Sequence, residues 1–158
     1  MKNKLYIMSG CPGSGKTTYA KSHFPNALYV SRDEIRFSLV SENEEYFSKE
    51  DEVFDTFIDK INEGLRTSVD VVADATHLNA ISRMKLLACL DIDKEKTEIH
   101  AIVMKTPLDK CIKNNENRKG TRAYVPVSVI KRMYYSFKQP TQEECCGMID
   151  IIHNINYF

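Results

Sequence analysis

The sequence predicts an α/β fold: a mostly parallel five-stranded sheet sandwiched by helices, with a small basic lid. Three observations predict it. Short apolar runs alternate with helix-patterned segments along the chain, the order that builds a parallel sheet covered by helices. The first run leads into Gly10-Cys11-Pro12-Gly13-Ser14-Gly15-Lys16-Thr17, which fits G-x-x-x-x-G-K-[ST] without mismatch and opens a helical segment. The third run, Asp70-Val71-Val72-Ala73-Asp74, is short and nearly all apolar, as a strand buried on both faces must be.

Taken in order, residues 4–8 form the first strand, and the glycine-rich loop and a helix over 17–22 follow. Pro25 disfavours helical geometry at Phe24 and so ends that helix. Residues 27–30 are a second strand running into Ser31-Arg32-Asp33-Glu34, where Ser31 or Asp33 caps a helix that reaches Leu39. Residues 48–66 carry Val53, Phe54, Phe57, Ile58, Ile61 and Leu65 at spacings of three and four, one apolar stripe on a long helix. Gly64 weakens its last turn. After the strand at 70–74 come a helix over 79–90, a strand over 97–104 and a helix from Pro107 to Asn114. Residues 114–126 are polar and basic, a loop or lid. A helix over 126–137 and a strand over 148–152 complete the chain, which reads as one domain over 1–158.

Formal net charge is zero, so no global field favours nucleic acid or a membrane. The distribution is uneven. Residues 41–63 hold nine acidic side chains against two basic, and residues 105–138 nine basic against two acidic. The second stretch is either an anion-binding region or a solvated face. Cys11, Cys89, Cys111, Cys145 and Cys146 are odd in number and form no C-x-x-C, which fits a reducing compartment rather than a disulfide framework or zinc site. With no leader and no membrane span in the pattern, the expectation is a cytoplasmic protein of a bacterium or bacterial host. Cys11 is either a loop filler or a thiol whose pKa is lowered by nearby amides and Lys16.

Ligands of open parallel sheets bind beyond the carboxyl ends of the strands. The first strand ends at the glycine-rich loop, whose inward N–H groups and following helix dipole suit a phosphate chain. Gly10, Cys11, Pro12, Gly13, Ser14, Gly15, Lys16, Thr17 and Thr18 are candidates for a triphosphate, with Lys16 on the outer phosphates and the Thr17 hydroxyl on Mg²⁺. The second strand ends at Asp33, either an N-cap or a general base for an attacking hydroxyl, with Arg36 a turn later to grip a phosphate of the acceptor. The third ends at Asp74-Ala75-Thr76-His77. Asp74 competes for the base role or ligates Mg²⁺-bound water; Thr76 and His77 face the acceptor or metal-bound water, or His77 is a plain loop residue. Arg118 and Arg122, in Asn117-Arg118-Lys119-Gly120-Thr121-Arg122, are candidates for a lid cation that neutralises transferring phosphate.

These motifs occur in a specific order. The glycine-rich loop, Arg32-Asp33-Glu34-Ile35-Arg36, Asp74-Ala75-Thr76-His77-Leu78-Asn79 and Arg118-Lys119-Gly120-Thr121-Arg122-Ala123-Tyr124-Val125-Pro126, then Val129-Ile130-Lys131-Arg132-Met133-Tyr134, resemble the kinase domain of phage polynucleotide 5′-hydroxyl kinases. The resemblance implies a P-loop kinase fold and transfer of phosphate from ATP, with Mg²⁺, to 5′-hydroxyl ends of DNA or RNA. It implies phosphate and metal roles for Lys16 and Thr17, the general base for Asp33, and the acceptor's 3′-phosphate for Arg36. It implies the lid role for Arg118, although Lys119 before Gly120 leaves Arg122 eligible. His77 stands where such kinases commonly have asparagine. Nothing resembles the D-x-D-x-T motif of the 3′-phosphatase that often follows, so kinase activity alone is expected. A kinase of a small-molecule hydroxyl and a non-catalytic nucleotide switch remain the alternatives, and a homo-oligomer stays open.

Overall fold

The computed structural model describes residues 1–145 and 147–154; Cys146 and residues 155–158 lie outside the described residues, as does the side chain of Cys145. Five parallel strands run β1 (Asn3–Ser9), β2 (Leu28–Ser31), β3 (Val71–Asp74), β4 (Thr97–Lys105) and β5 (Met148–His153) in chain order. Across the sheet the order is β2-β3-β1-β4-β5. The helices are α1 (Lys16–His23), α2 (Arg32–Leu39), α3 (Glu50–Arg66), α4 (Ala80–Cys89), α5 (Leu108–Glu116), α6 (Val127–Ser136) and the short α7 (Gln142–Cys145).

Alternation along β1 divides the core. Leu5 and Ile7 face one way, packing with Val53, Phe57, Ile61 and Leu65 of α3 and Leu86 of α4. Tyr6 and Met8 face the other, against Ala20 of α1, with Val72, Ile102 and Met104 from the neighbouring strands. The α3 stripe is therefore core, and Gly64 within it is buried for a packing reason. A Cβ there would stand 2.7 Å from Val71 Cγ2 and 2.8 Å from Leu28 Cδ2, so the missing side chain lets α3 lie close on β2 and β3.

Helix ends follow local chemistry. Ser31, not Asp33, caps α2, its Oγ accepting from Glu34 N at 3.2 Å. Asn79 and Ser82 form a reciprocal capping box on α4. The long helix starts at Glu50, two residues later than its apolar pattern suggests: Ser48 N bonds Glu45 O in a turn, and Lys49 Nζ donates to Leu39 O at 2.9 Å.

The register fixes the site. Met8 pairs with Asp74 in β1–β3, and Ser31 pairs with the same Asp74 in β2–β3. Three strands thus end side by side, and the glycine-rich loop, the start of α2 and the segment after β3 emerge at one edge. The strand order changes direction about β1, where open α/β sheets place their ligands.

Candidate active site

The floor of the site is the loop between β1 and α1. Gly10 N donates to Thr76 O at 3.0 Å, tying the loop to the segment after β3. Two side chains hold the Ser14 carbonyl, Thr106 Oγ1 and Asn154 Nδ2, each at 2.7 Å. Asn114 Nδ2 of α5 donates to Gly13 O at 2.9 Å. Gly13 has φ +80°, and a Cβ there would lie 2.3 Å from the Cys111 carbonyl oxygen, so only glycine fits. Pro12 and Gly15 are half-buried, Ser14 is buried, and Thr18 is exposed at the first turn of α1.

Lys16 Nζ donates to the Cys11 carbonyl at 2.9 Å. Burial pushes the lysine pKa down, against the opposing pull of Asp74, Asp33 and Cys11, and the Arg118 charge also acts on it from the lid. Acids from β3 and α2 and a lid arginine are therefore all sensed at this one ammonium. Thr17 Oγ1 donates to Asp74 Oδ2 at 2.8 Å. Tyr29 Oη donates to the same oxygen and lies 3.2 Å from Thr17 Oγ1. The Tyr29 phenol is held above its ordinary pKa by burial first and by Asp74 second. This cluster of hard oxygens fits Mg²⁺, which takes one or two protein ligands and completes its shell with water and phosphate. Among the described residues no group of three or more His, Cys, Asp or Glu side chains could hold a metal alone.

Cys11 is a filler. It packs with Cys111 and Ile130, and burial raises its pKa, outweighing the lowering effect of Lys16. Of the two readings of Cys11, the structure therefore supports the loop filler and not the lowered thiol. Cys111 is pushed up to about 12, again chiefly by burial.

Facing the loop, α2 presents Asp33, whose side chain is 69% exposed. Ser31 does the capping, so this carboxylate is free of that duty. Its neighbour Arg36 is 6% exposed and already engaged. Arg36 Nε and Nη2 grip Glu50 at 2.5 and 2.9 Å, and Nη1 reaches Asp33 Oδ1 at 2.7 Å and Tyr46 Oη at 3.4 Å. Burial works against the Arg36 charge, but the hydrogen bonds it donates to Glu50 prevail and hold its pKa above the ordinary value. Those same hydrogen bonds hold the Glu50 carboxyl low against its own burial. Arg32 adds a contact to Glu50 at 3.3 Å.

Thr76 is half-buried and contributes its carbonyl to Gly10. His77 turns inward. It is 6% exposed, its Nδ1 lies 2.6 Å from Met8 O, and its ring sits beside Phe57. Burial lowers its pKa to about 4, so the ring is neutral at physiological pH. Its φ of +43° is the left-handed conformation that asparagine and histidine tolerate better than most residues. The His77 carbonyl is in turn held by Arg83, which is paired with Glu144 of α7 at 2.7 Å.

The two lid arginines separate. Arg122 donates to Phe37 O at 3.2 Å and Val40 O at 2.5 Å, closing the carboxyl end of α2, and lies over the Phe37 ring. Arg118 is half-buried, and its charge acts on Lys16. Sequence reasoning missed Glu50, Tyr46, Tyr29 and the three polar side chains that fasten the loop. Only Tyr29 carried a signal: strand alternation turns it away from its neighbour Val30.

A parallel sheet with this loop at its switch point, flanked by helices, is the P-loop kinase fold. The chain belongs to the AAA_33 family of AAA domains, whose model matches residues 5–140. Among solved structures, a chain of the Pnkp1/Rnl/Hen1 RNA repair complex is similar, with TM-score 0.72 and 23% identity over 85% of this chain and 44% of that one. A sugar kinase from Janibacter sp. HTCC2649 has TM-score 0.64 and 14% identity over 96% of this chain and 86% of that one. A fungal RNA kinase has TM-score 0.57 and 12% identity over 97% of this chain and 38% of that one. This chain spans less than half of the RNA-repair chain it matches. Among the described residues no helix is long and apolar enough to cross a membrane.

Proposed function

We propose that the chain transfers the γ-phosphate of ATP to the 5′-hydroxyl end of DNA or RNA. The observation that carries this reading is the Asp33–Arg36 pair on α2, set across from Lys16 and Thr17 and fixed by Glu50. A non-catalytic switch needs no such acid–arginine pair. Similarity of fold to proteins described as an RNA repair complex and an RNA kinase supports the acceptor class.

In this reading the loop amides and Lys16 hold the β- and γ-phosphates, and Asp33 accepts the proton of the 5′-hydroxyl as its oxygen bonds to phosphorus. The bond to the leaving ADP breaks in line, and Lys16 with Arg118 offsets the charge on the transferring oxygens. Mg²⁺, held by Thr17 with Asp74 in support, supplies further neutralisation when bound. Arg36 holds the acceptor nucleotide's 3′-phosphate. With zero net charge, contact is confined to the terminal nucleotides rather than a long stretch of backbone.

The fold is also shared with a sugar kinase over 96% of this chain, which favours a small-molecule hydroxyl acceptor as the second reading. Labelled ATP and Mg²⁺ offered to 5′-hydroxyl DNA, 5′-hydroxyl RNA, nucleoside 3′-monophosphates and simple sugars separate the two. Label on the oligonucleotide ends is the expected result. Label only on sugars or nucleosides overturns the proposal, and label on nothing favours the switch.

A further inference from the structure

Arg36 lies in an aromatic surround that the phosphoryl-transfer machinery does not use. Its guanidinium lies 5.0 Å from the Tyr46 ring centre and 5.4 Å from that of Phe47. The Tyr46 and Phe47 rings meet edge to face at 4.7 Å and 84°, and Phe37 of α2 joins Tyr46 at 6.1 Å. Three rings thus run outward from the Arg122 anchor past Arg36, and the outermost, Phe47, is 61% exposed.

The loop that displays Phe47 is fastened on both sides. Tyr46 Oη accepts from Arg36, Ser41 N donates to Glu44 Oε1 at 3.2 Å, and Lys49 links Glu44 at 3.4 Å to the Leu39 carbonyl. A large apolar ring held at a fixed position in water, beside the residues that would receive the acceptor end, is a stacking surface.

Charge selects what stacks there. The loop carries Glu42, Glu44 and Glu45, and α3 opens with Glu50, Asp51 and Glu52. Lys49, the one basic side chain of residues 41–52, is tied to Glu44 and the Leu39 carbonyl, leaving little attraction for a backbone phosphate beyond the one assigned to Arg36. A neutral planar group is the part of a nucleic acid that this acidic region accepts. From these observations we infer that Phe47, backed by Tyr46, is the stacking shelf for the 5′-terminal nucleobase of the acceptor. Any base presents a π face, so the shelf gives affinity without sequence preference. This inference rests on the polynucleotide reading of the site.

The test compares Phe47→Ala and Phe47→Trp with the unaltered chain, on an ordinary 5′-hydroxyl oligonucleotide and on one whose 5′-terminal nucleotide lacks its base. Phe47→Ala raises KM for the ordinary oligonucleotide about tenfold without a matching fall in kcat, and Phe47→Trp restores it. The abasic end raises KM in the unaltered chain by a similar factor, and Phe47→Ala adds nothing further on that substrate. Tyr135→Ala, which removes an exposed ring on α6, leaves KM unchanged. An unchanged KM in Phe47→Ala, or an equal loss on both substrates, overturns the shelf while leaving the kinase reading intact. Absence of transfer to any oligonucleotide by the unaltered chain overturns that reading and the shelf with it.

Discussion

In the proposed reading, the donor and acceptor sides of the cleft are built from different materials. The donor floor is backbone: amides and carbonyls of residues 10–17, locked by Thr106, Asn114, Asn154 and the Thr76 carbonyl. The acceptor wall is side chain: Asp33, Arg36 and Glu50 joined by ion pairs, with aromatic rings behind them. Backbone geometry is intolerant where, as at Gly13, a Cβ would strike a neighbour. An ion-pair wall keeps its shape through charge balance and can be retuned by one substitution. On that reading, a fixed triphosphate site faces an adjustable acceptor site, an arrangement that would let one fold serve many acceptors.

Four changes test this contrast. The largest effect is expected for Asp33→Asn, which keeps shape but removes the base: kcat falls by roughly 10²–10⁴-fold while ATP affinity, measured by fluorescent-nucleotide binding, is retained. Near-normal turnover moves the base role to Asp74. Next is Gly13→Ala on the donor floor. Its Cβ meets the Cys111 carbonyl at 2.3 Å with φ at +80°, so ATP binding is lost and the melting temperature drops. Full nucleotide affinity there shows that the floor is not backbone-limited.

Third, Glu50→Ala strips the buried Arg36 of two hydrogen bonds. With Asp33 still on Nη1, leaving these two donors unpaired costs about 1–3 kcal/mol in denaturant unfolding. ATP affinity is expected to hold, because Glu50 touches only the acceptor wall; loss of nucleotide binding would dissolve the division between the two sides.

The smallest effect is a pH dependence. His77 has a pKa near 4 in the folded chain against 6.5 as its ordinary value. Between those values the unfolded chain binds the extra proton, so this contribution to stability is complete above about pH 6.5 and is lost as pH falls toward 4. Its full size is on the order of 3 kcal/mol, of which only part is spent at any mildly acidic pH. His77→Asn keeps the left-handed backbone at that position and is expected to flatten the fall in melting temperature between pH 6.5 and 4. An unchanged slope assigns the acid sensitivity to other groups.

The same contrast decides what could be read from the chain. The donor floor is contiguous, so its motif, strand and helix stand together in the sequence. Asp33 and Arg36 were legible as a pair because they lie one turn apart on α2. Their partner Glu50 lies fourteen residues from Arg36, beyond an irregular loop, and no local pattern links them. His77 reads either as an acceptor or metal-water contact or as an exposed loop residue because it follows the polar end of β3; it is buried instead, and its left-handed backbone has no signature in residue type alone. Helix α7 spans four residues, too few for a periodic pattern, yet its Glu144 holds Arg83 and through it the His77 carbonyl. Gly64 read as a weak point from propensity because the side chains of Val71 and Leu28 that require it belong to other elements.

Arg122 carries a further consequence. Its two bonds to the Phe37 and Val40 carbonyls stitch the lid segment to the helix that bears Asp33 and Arg36. In the proposed reading, where this segment closes over the nucleotide, closure is tied to the helix assigned to the acceptor, so occupancy of one half of the cleft enters the free energy of filling the other. Such linkage is reciprocal: whatever factor the nucleotide applies to acceptor affinity, the acceptor returns to the nucleotide.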